Sequence, residues 1–293
     1  MDQEKLNIMK NKKSFIAALD QSGGSSARTL KNYGISEYDY NTDKEMFDLI
    51  HEMRTRVITS KNFTNEKILG VILFEDTMNR KIFDKLVSDY LWEDKKMLSF
   101  LKIDKGLEEE VDGVQLMKDI PNLSVILTRA HELGIFGTKM RSVIHSYNKE
   151  GIKKIVKQQF ELAKVIYSYG LIPIIEPEVL IDNPDKKECE QLLKKEILKC
   201  LEDIDFKVIF KFTIPTIDNY YEEIINNPKV IRVVALSGGY KIDEACFKLS
   251  NNHNMIASFS RALLEGLSVN DTEQKFDSKL ASSIDKIYKA SIQ

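Results

Sequence analysis

The chain has little of what builds disulfide or metal scaffolds: 3 cysteines and 4 histidines in 293 residues. An odd number of cysteines excludes a fully paired disulfide framework, and Cys189, Cys200 and Cys246 lack metal-ligand spacing. They read as reduced thiols on helices. His51, His131, His145 and His253 show neither HxH nor HExxH spacing. They are expected in helical or loop segments with none ending a strand, so neither a metal nor any other cofactor is expected. Long apolar runs are also missing: residues 71–74 and 171–175 are far too short to span a membrane. The opening MDQEKLNIMKNKKSF is charged and has no apolar core of the secretory kind. Nor is there an excess of charge, with 43 Lys+Arg against 45 Asp+Glu and a net charge of −2, so no broad basic face for nucleic acid is implied. The expectation is a cytoplasmic protein without membrane or nucleic-acid partners; the sequence leaves room for a homo-oligomer without fixing one.

What is present is a recurring apolar run followed by a helical segment. The runs are FIAALD (15–20), ILGVILF (68–74), FLKID (100–104), GTKMR (137–141), IPIIEPE (172–178), VIFKFT (208–213), IRVVALSGG (231–239) and MIASFSR (255–261). Between them, segments such as GIKKIVKQQFELAKVIYSYG carry apolar residues at helical spacing. Gly134 and Gly170 fall at expected helix ends, and Asp218 and Asp243 are candidate N-caps. About eight strand-then-helix units without a linker predict a (β/α)₈ barrel, a single domain over residues 1–293. The first 14 residues read as a helix covering the barrel bottom. The competing architecture, a doubly wound open sheet, would show a glycine-rich first turn, which DQSGGSS only half resembles.

The runs turn polar near their ends. Asp20, Lys102, Lys139, Arg141, Glu176, Glu178, Lys211, Ser237 and Arg261 all lie late in a run or just after it. In a barrel such positions converge on the C-terminal mouth, where active sites are built. Spacing by two puts Lys139 with Arg141, and Glu176 with Glu178, on one face of each strand. A single strand-end polar residue means little; nine of them make a charged pocket.

Lys211 stands inside VIFKFTIP, a run that reads as buried. Burial and a neighbouring cation such as Lys139 both favour an uncharged amine, which can attack a ketone and form an imine. A carboxylate such as Glu176 could move protons during that addition. The bland alternative is an edge strand whose lysine snorkels to water. Two features point to phosphate. LSGGY (236–240) follows a strand and precedes a helix, so Ser237, Gly238 and Gly239 could cradle an oxyanion, with Arg261 beside them. Ser22 and Ser25, with charge from Lys102, could form a second phosphate site. Two phosphates disfavour lysine aldolases that act on singly phosphorylated sugars, such as transaldolase and deoxyribose-phosphate aldolase. A non-catalytic sugar-phosphate-binding barrel would give no reason for an acid, a base and a second lysine beside Lys211.

At these residues the sequence resembles class I fructose-1,6-bisphosphate aldolase, particularly its shorter bacterial form. The resemblance runs from FIAALDQSGGS to ASFSRAL and rests on GVILFE, FLKIDKG, GTKMRS, PIIEPEV and LSGGY in the family's order. It implies a metal-independent barrel that cleaves fructose 1,6-bisphosphate to dihydroxyacetone phosphate and glyceraldehyde 3-phosphate. It also implies roles. Lys211 would form the imine, Glu176 would exchange protons, and Asp20 would take the hydroxyl proton as carbons three and four separate. Lys139 would hold Lys211 neutral, and Glu178 would bond within that cluster. Ser237, Gly238 and Arg261 would hold the phosphate nearest the ketone, while Ser22, Ser25, Lys102 and Arg141 would serve the distal phosphate and sugar hydroxyls. Gln21 and Ser260 depart from the animal enzymes, which have an acid and a glycine there, and no functional role is carried over to Tyr288.

Overall fold

The computed structural model describes residues 2–293. Eight runs form parallel strands: β1 (Phe15–Leu19), β2 (Ile68–Leu73), β3 (Leu98–Lys102), β4 (Gly137–Ile144), β5 (Ile172–Val179), β6 (Val208–Thr213), β7 (Val230–Leu236) and β8 (Met255–Ala257). Each pairs with the next in chain order. The Ala18 N–H donates to the Phe259 carbonyl at 3.1 Å, carrying the last strand's segment back to the first. The sheet is thereby a nearly closed (β/α)₈ barrel. The longer helices are α1 (Gln3–Asn11), α2 (Gly24–Tyr33), α3 (Asp43–Thr59), α4 (Leu123–Glu132), α5 (Lys149–Ser168), α6 (Lys186–Asp203), α7 (Ile242–Ser250) and α8 (Glu273–Ser291). Among the described residues no helix is long and apolar enough to cross a membrane.

The strands are apolar on both faces because both are covered. In β6, Val208, Phe210 and Phe212 join the core beneath the helices, while Ile209 joins the cluster inside the barrel. The helices answer with one apolar stripe each; in α5 it comprises Ile152, Ile155, Val156, Phe160, Ala163 and Ile166. Helix starts are sealed by side chains: Thr42 and Glu45 form a capping box on α3, and Asn148 caps α5. Gly137 opens β4 where a side chain has no room. A Cβ there would collide with the Ile172 carbonyl and lie 3.1 Å from the Phe100 ring.

The barrel has an apolar bottom. Met9 of α1 is fully buried in the interior cluster with Ile16, Phe100, Phe136 and Ile209. Arg232 of β7 donates to the carbonyls of Met9 and Lys12 at 3.1 Å each, tying the end of α1 to the sheet. The N-terminal helix therefore does cover the bottom.

Several local expectations differ. β4 runs on to Ile144, and β8 ends at Ala257, well short of Arg261. Lys241, not Asp243, precedes α7, and Asp218 lies in a turn before a short helix that starts at Glu222. His145 directly follows β4, contrary to the expectation that no histidine ends a strand. It faces Gln115, in a two-residue strand pairing antiparallel with β4, at 2.8 Å.

Candidate active site

The polar strand ends surround one cavity of about 520 Å³ at the barrel mouth. Asp20, Ser22, Ser25, Lys102, Lys139, Arg141, Glu176, Glu178, Lys211, Ser237, Gly238 and Arg261 all line it. Gly239 instead lines an adjoining cavity of about 380 Å³, which shares Arg261.

Lys211 follows Ile209 by two residues, so strand alternation turns its side chain to the barrel interior. It is 4% exposed, and no snorkelling route is used. Its Nζ lies 3.1 Å from Glu176 Oε1. Lys139 Nζ lies 3.1 Å from the other oxygen, Oε2, and 2.6 Å from Asp20 Oδ2. The approach of Lys139 to Oε2 is an ion contact without hydrogen-bond geometry, so that oxygen keeps accepting capacity. Asp104 Oδ2 stands 3.9 Å from Lys139 on a third side. A fully desolvated ammonium is thus held among three carboxylates. Burial alone would raise the Asp20 carboxyl, but the charges of Lys139 and Lys211 and the contact with Lys139 hold it well below the usual carboxylate range. Burial likewise opposes the Lys139 ammonium, but Asp20, Glu176 and Asp104 outweigh it and push Lys139 above the ordinary lysine value. Both groups are therefore ionised at neutral pH.

One layer higher, Arg141 Nε donates to Glu178 Oε2 at 2.5 Å. Glu178 is paired with this arginine and not with Lys139, because each lies two residues further along its strand than the Lys139–Glu176 contact. On the β3 side, Lys102 Nζ donates to the Asp104 carboxylate at 2.6 Å and to the Asp104 carbonyl at 2.8 Å. Ser25 Oγ accepts the Ser22 N–H at 2.8 Å and donates to the Ser22 carbonyl at 2.7 Å, so it shapes the turn that opens α2. Opposite, the Tyr240 N–H closes a turn onto the Ser237 carbonyl at 3.0 Å. Gly238 (φ +62°) and Gly239 (φ +124°) adopt conformations that favour glycine. Arg261 has no carboxylate partner among the described residues and remains available to an anion.

The sequence reading missed Asp104, Arg28 and Arg54. Asp104 lies within the quoted FLKIDKG, and Arg28 lines the cavity from α2. Arg54, fully buried on α3, donates to Thr77 Oγ1 and to the Gln21 carbonyl, each at 2.6 Å. Burial lowers its pKa to about 10, leaving it a cation at neutral pH. A signal existed: Arg54 falls on the stripe of Ile50, Met53, Val57 and Ile58. Among the described residues no group of His, Cys, Asp or Glu is arranged to hold a metal ion.

The profile of a family described as fructose-bisphosphate aldolase class-I matches residues 3–214. The fructose-bisphosphate aldolase class 1 of Porphyromonas gingivalis is 52% identical over 293 residues, and that of Clostridium acetobutylicum 54% over 294, each with 100% of both chains covered. The chain belongs to the class I fructose-bisphosphate aldolase family. Among solved structures, the aldolase of Plasmodium falciparum in complex with TRAP and a small-molecule inhibitor has a TM-score of 0.77 at 19% identity, over 99% of this chain and 93% of that one. An archaeal fructose 1,6-bisphosphate aldolase has a TM-score of 0.58 at 12% identity, with 98% of both chains covered. These distant likenesses bear on the fold. Within this aldolase, the two departures from the animal pattern meet: Gln21 Nε2 donates to Ser260 Oγ at 2.6 Å. The bond links the end of β1 to the residue before Arg261.

Proposed function

We propose that this aldolase cleaves fructose 1,6-bisphosphate reversibly to dihydroxyacetone phosphate and glyceraldehyde 3-phosphate through an imine on Lys211. The reading includes no metal requirement and a cytoplasmic location. It is carried by one observation: the Lys211 amine is buried in the barrel mouth with its Nζ 3.1 Å from a Glu176 oxygen. At that distance a proton can pass between the two groups.

The uncharged Lys211 amine adds to the C2 ketone, forming the N–C bond, and the ketone oxygen takes up a proton to give a carbinolamine. Glu176, in its acid form, protonates the departing hydroxyl, water leaves, and the protonated imine withdraws electrons from C3. Asp20, ionised beside Lys139, takes the proton of the C4 hydroxyl. The C3–C4 bond then breaks, glyceraldehyde 3-phosphate departs, and the electron pair enters the enamine. Protonation at C3 and hydrolysis return the amine and release dihydroxyacetone phosphate. Lys139 keeps its charge throughout and balances the carboxylates around it.

In the same reading Ser237, Gly238, Gly239 and Arg261 hold the phosphate next to the ketone. Ser22, Ser25, Lys102 and Arg141 attend the distal phosphate and hydroxyls, with Lys102 giving up its contact with Asp104 on binding. The experiment is Lys211→Met, assayed for turnover and for binding of dihydroxyacetone phosphate by calorimetry. Turnover should vanish while phosphate-dependent binding persists; retained turnover would refute the assignment.

A further inference from the structure

The contacts of Glu176 with Lys139 and Lys211 hold its carboxylate but do not fix its backbone position. β5 and β6 are in paired register at Ile174 with Ile209 and Ile175 with Phe210. Glu176 and Lys211 are the next residues on their strands, just past the last paired positions. Further along, the strands are bridged by a side chain. Thr213 Oγ1 donates to the Val179 carbonyl at 2.6 Å and accepts the Val179 N–H at 3.1 Å. On the β6 side the reacting pair therefore lies where backbone pairing gives way, although β5 stays in register with β4 through Val179, with Glu176 opposite Arg141. Small shifts of β6 against β5 would change the Glu176–Lys211 distance.

Gln159 reaches this point from outside the barrel. It is 0% exposed, on the apolar stripe of α5 between Val156 and Phe160. A buried amide must find partners, and both of its ends do. Its Oε1 accepts the Glu176 N–H at 2.9 Å, and its Nε2 donates to Ser142 Oγ on β4 at 3.0 Å. We propose that Gln159 is a positioning residue: it ties the β4–β5 pair to α5 and fixes Glu176 between Lys139 and Lys211. A leucine could fill similar space but would leave the Glu176 N–H without this acceptor. An amide also anchors without charge beside a group that must gain and lose a proton. The charged groups already facing Glu176 are Lys139 and Arg141 from β4 and Lys211 from β6, with Asp20 and Asp104 beyond Lys139.

The inference rests on Glu176 as the proton carrier, so the experiment includes Glu176→Gln beside Gln159→Leu and Gln159→Glu. Measured are kcat and KM for fructose 1,6-bisphosphate per folded site, the kcat–pH profile, and the melting temperature. Gln159→Leu should lower kcat roughly tenfold to a hundredfold, as expected for a small misplacement of reacting groups. Its KM should stay within about twofold, because the phosphate contacts are untouched. In Gln159→Glu the new carboxylate can accept from both the Glu176 N–H and the Ser142 hydroxyl. Most of kcat should return, while the added negative charge moves the acidic limb of the profile to higher pH. A role in helix docking alone would lower the melting temperature without moving kcat per folded site or the limb, and that result would overturn the proposal. Should Gln159→Leu not fold, the Gln159→Glu profile decides, and an unmoved limb counts against it. Turnover retained in Glu176→Gln would instead overturn the reading of Glu176; wild-type kcat in the Gln159 variants beside an inactive Glu176→Gln overturns only this inference.

Discussion

Lys139→Met is the perturbation whose consequences follow most directly from the geometry. Lys139 is 3% exposed and lies within 2.6 Å of Asp20, 3.1 Å of Glu176 and 3.9 Å of Asp104. Removing it leaves buried carboxylates short of a counter-ion, a change that costs about 3–5 kcal/mol. At about 2.1 cal/mol/K per residue, unfolding 293 residues carries an entropy of about 0.6 kcal/mol/K. The melting temperature should therefore fall by about 5–8 °C at neutral pH. The pH dependence gives the sharper signature. In the native protein Asp20 is depressed, so its contribution is present above the unfolded carboxylate range and lost as pH falls through the folded value. Lys139 is raised, so its contribution is present below the unfolded lysine range and lost as pH rises through the folded value. Between those limits neither Asp20 nor Lys139 adds slope. In the variant, burial acts on carboxylates that Lys139 no longer stabilises, and the folded state binds protons more readily than the unfolded one. Its stability should rise on acidification, so the deficit narrows between pH 7.5 and pH 5.5. Differential scanning calorimetry at the two pH values measures this. An equal deficit at both, or none at either, would refute the reasoning.

Gly238→Ala adds a Cβ at φ +62°, 2.5 Å from the Ile181 side chain, and should distort the turn assigned to phosphate. KM for fructose 1,6-bisphosphate should rise roughly tenfold, the size of one lost hydrogen bond to a charged group, with a smaller change in kcat. Steady-state kinetics checks it, and an unchanged KM contradicts the assignment. Turnover in excess EDTA should match the untreated enzyme, since every step above is assigned to side chains. Loss of activity on chelation, restored by a divalent cation, contradicts that account.

The barrel was legible because a parallel sheet covered on both faces leaves continuous apolar runs. β6 occupies the expected 208–213, and α1 covers the bottom as its position suggested. The mouth was legible because polar residues interrupt those runs at the same end of each strand. Pairings within the mouth were not. Glu178 turns to Arg141 because lateral neighbours depend on strand stagger that a single run does not encode, whereas Lys102 folds back onto Asp104 two residues on, where the chain has left the strand. Arg54 and Gln159 were overlooked for another reason. Each is a polar residue on a helix, the usual mark of a solvated face, and only its place on the apolar stripe gives away its burial. The two-residue antiparallel strands, such as Lys81–Ile82, are too short to leave a periodic signal.

The central claim is covalent chemistry at one amine, and borohydride trapping tests it most directly. The protein is incubated with dihydroxyacetone phosphate, reduced, digested, and the peptides mapped by mass. Adduct confined to Lys211, absent without borohydride and absent from Lys139, is the predicted result. Folded, ligand-binding protein that takes up no adduct at Lys211, or takes it up at another lysine, would contradict the account.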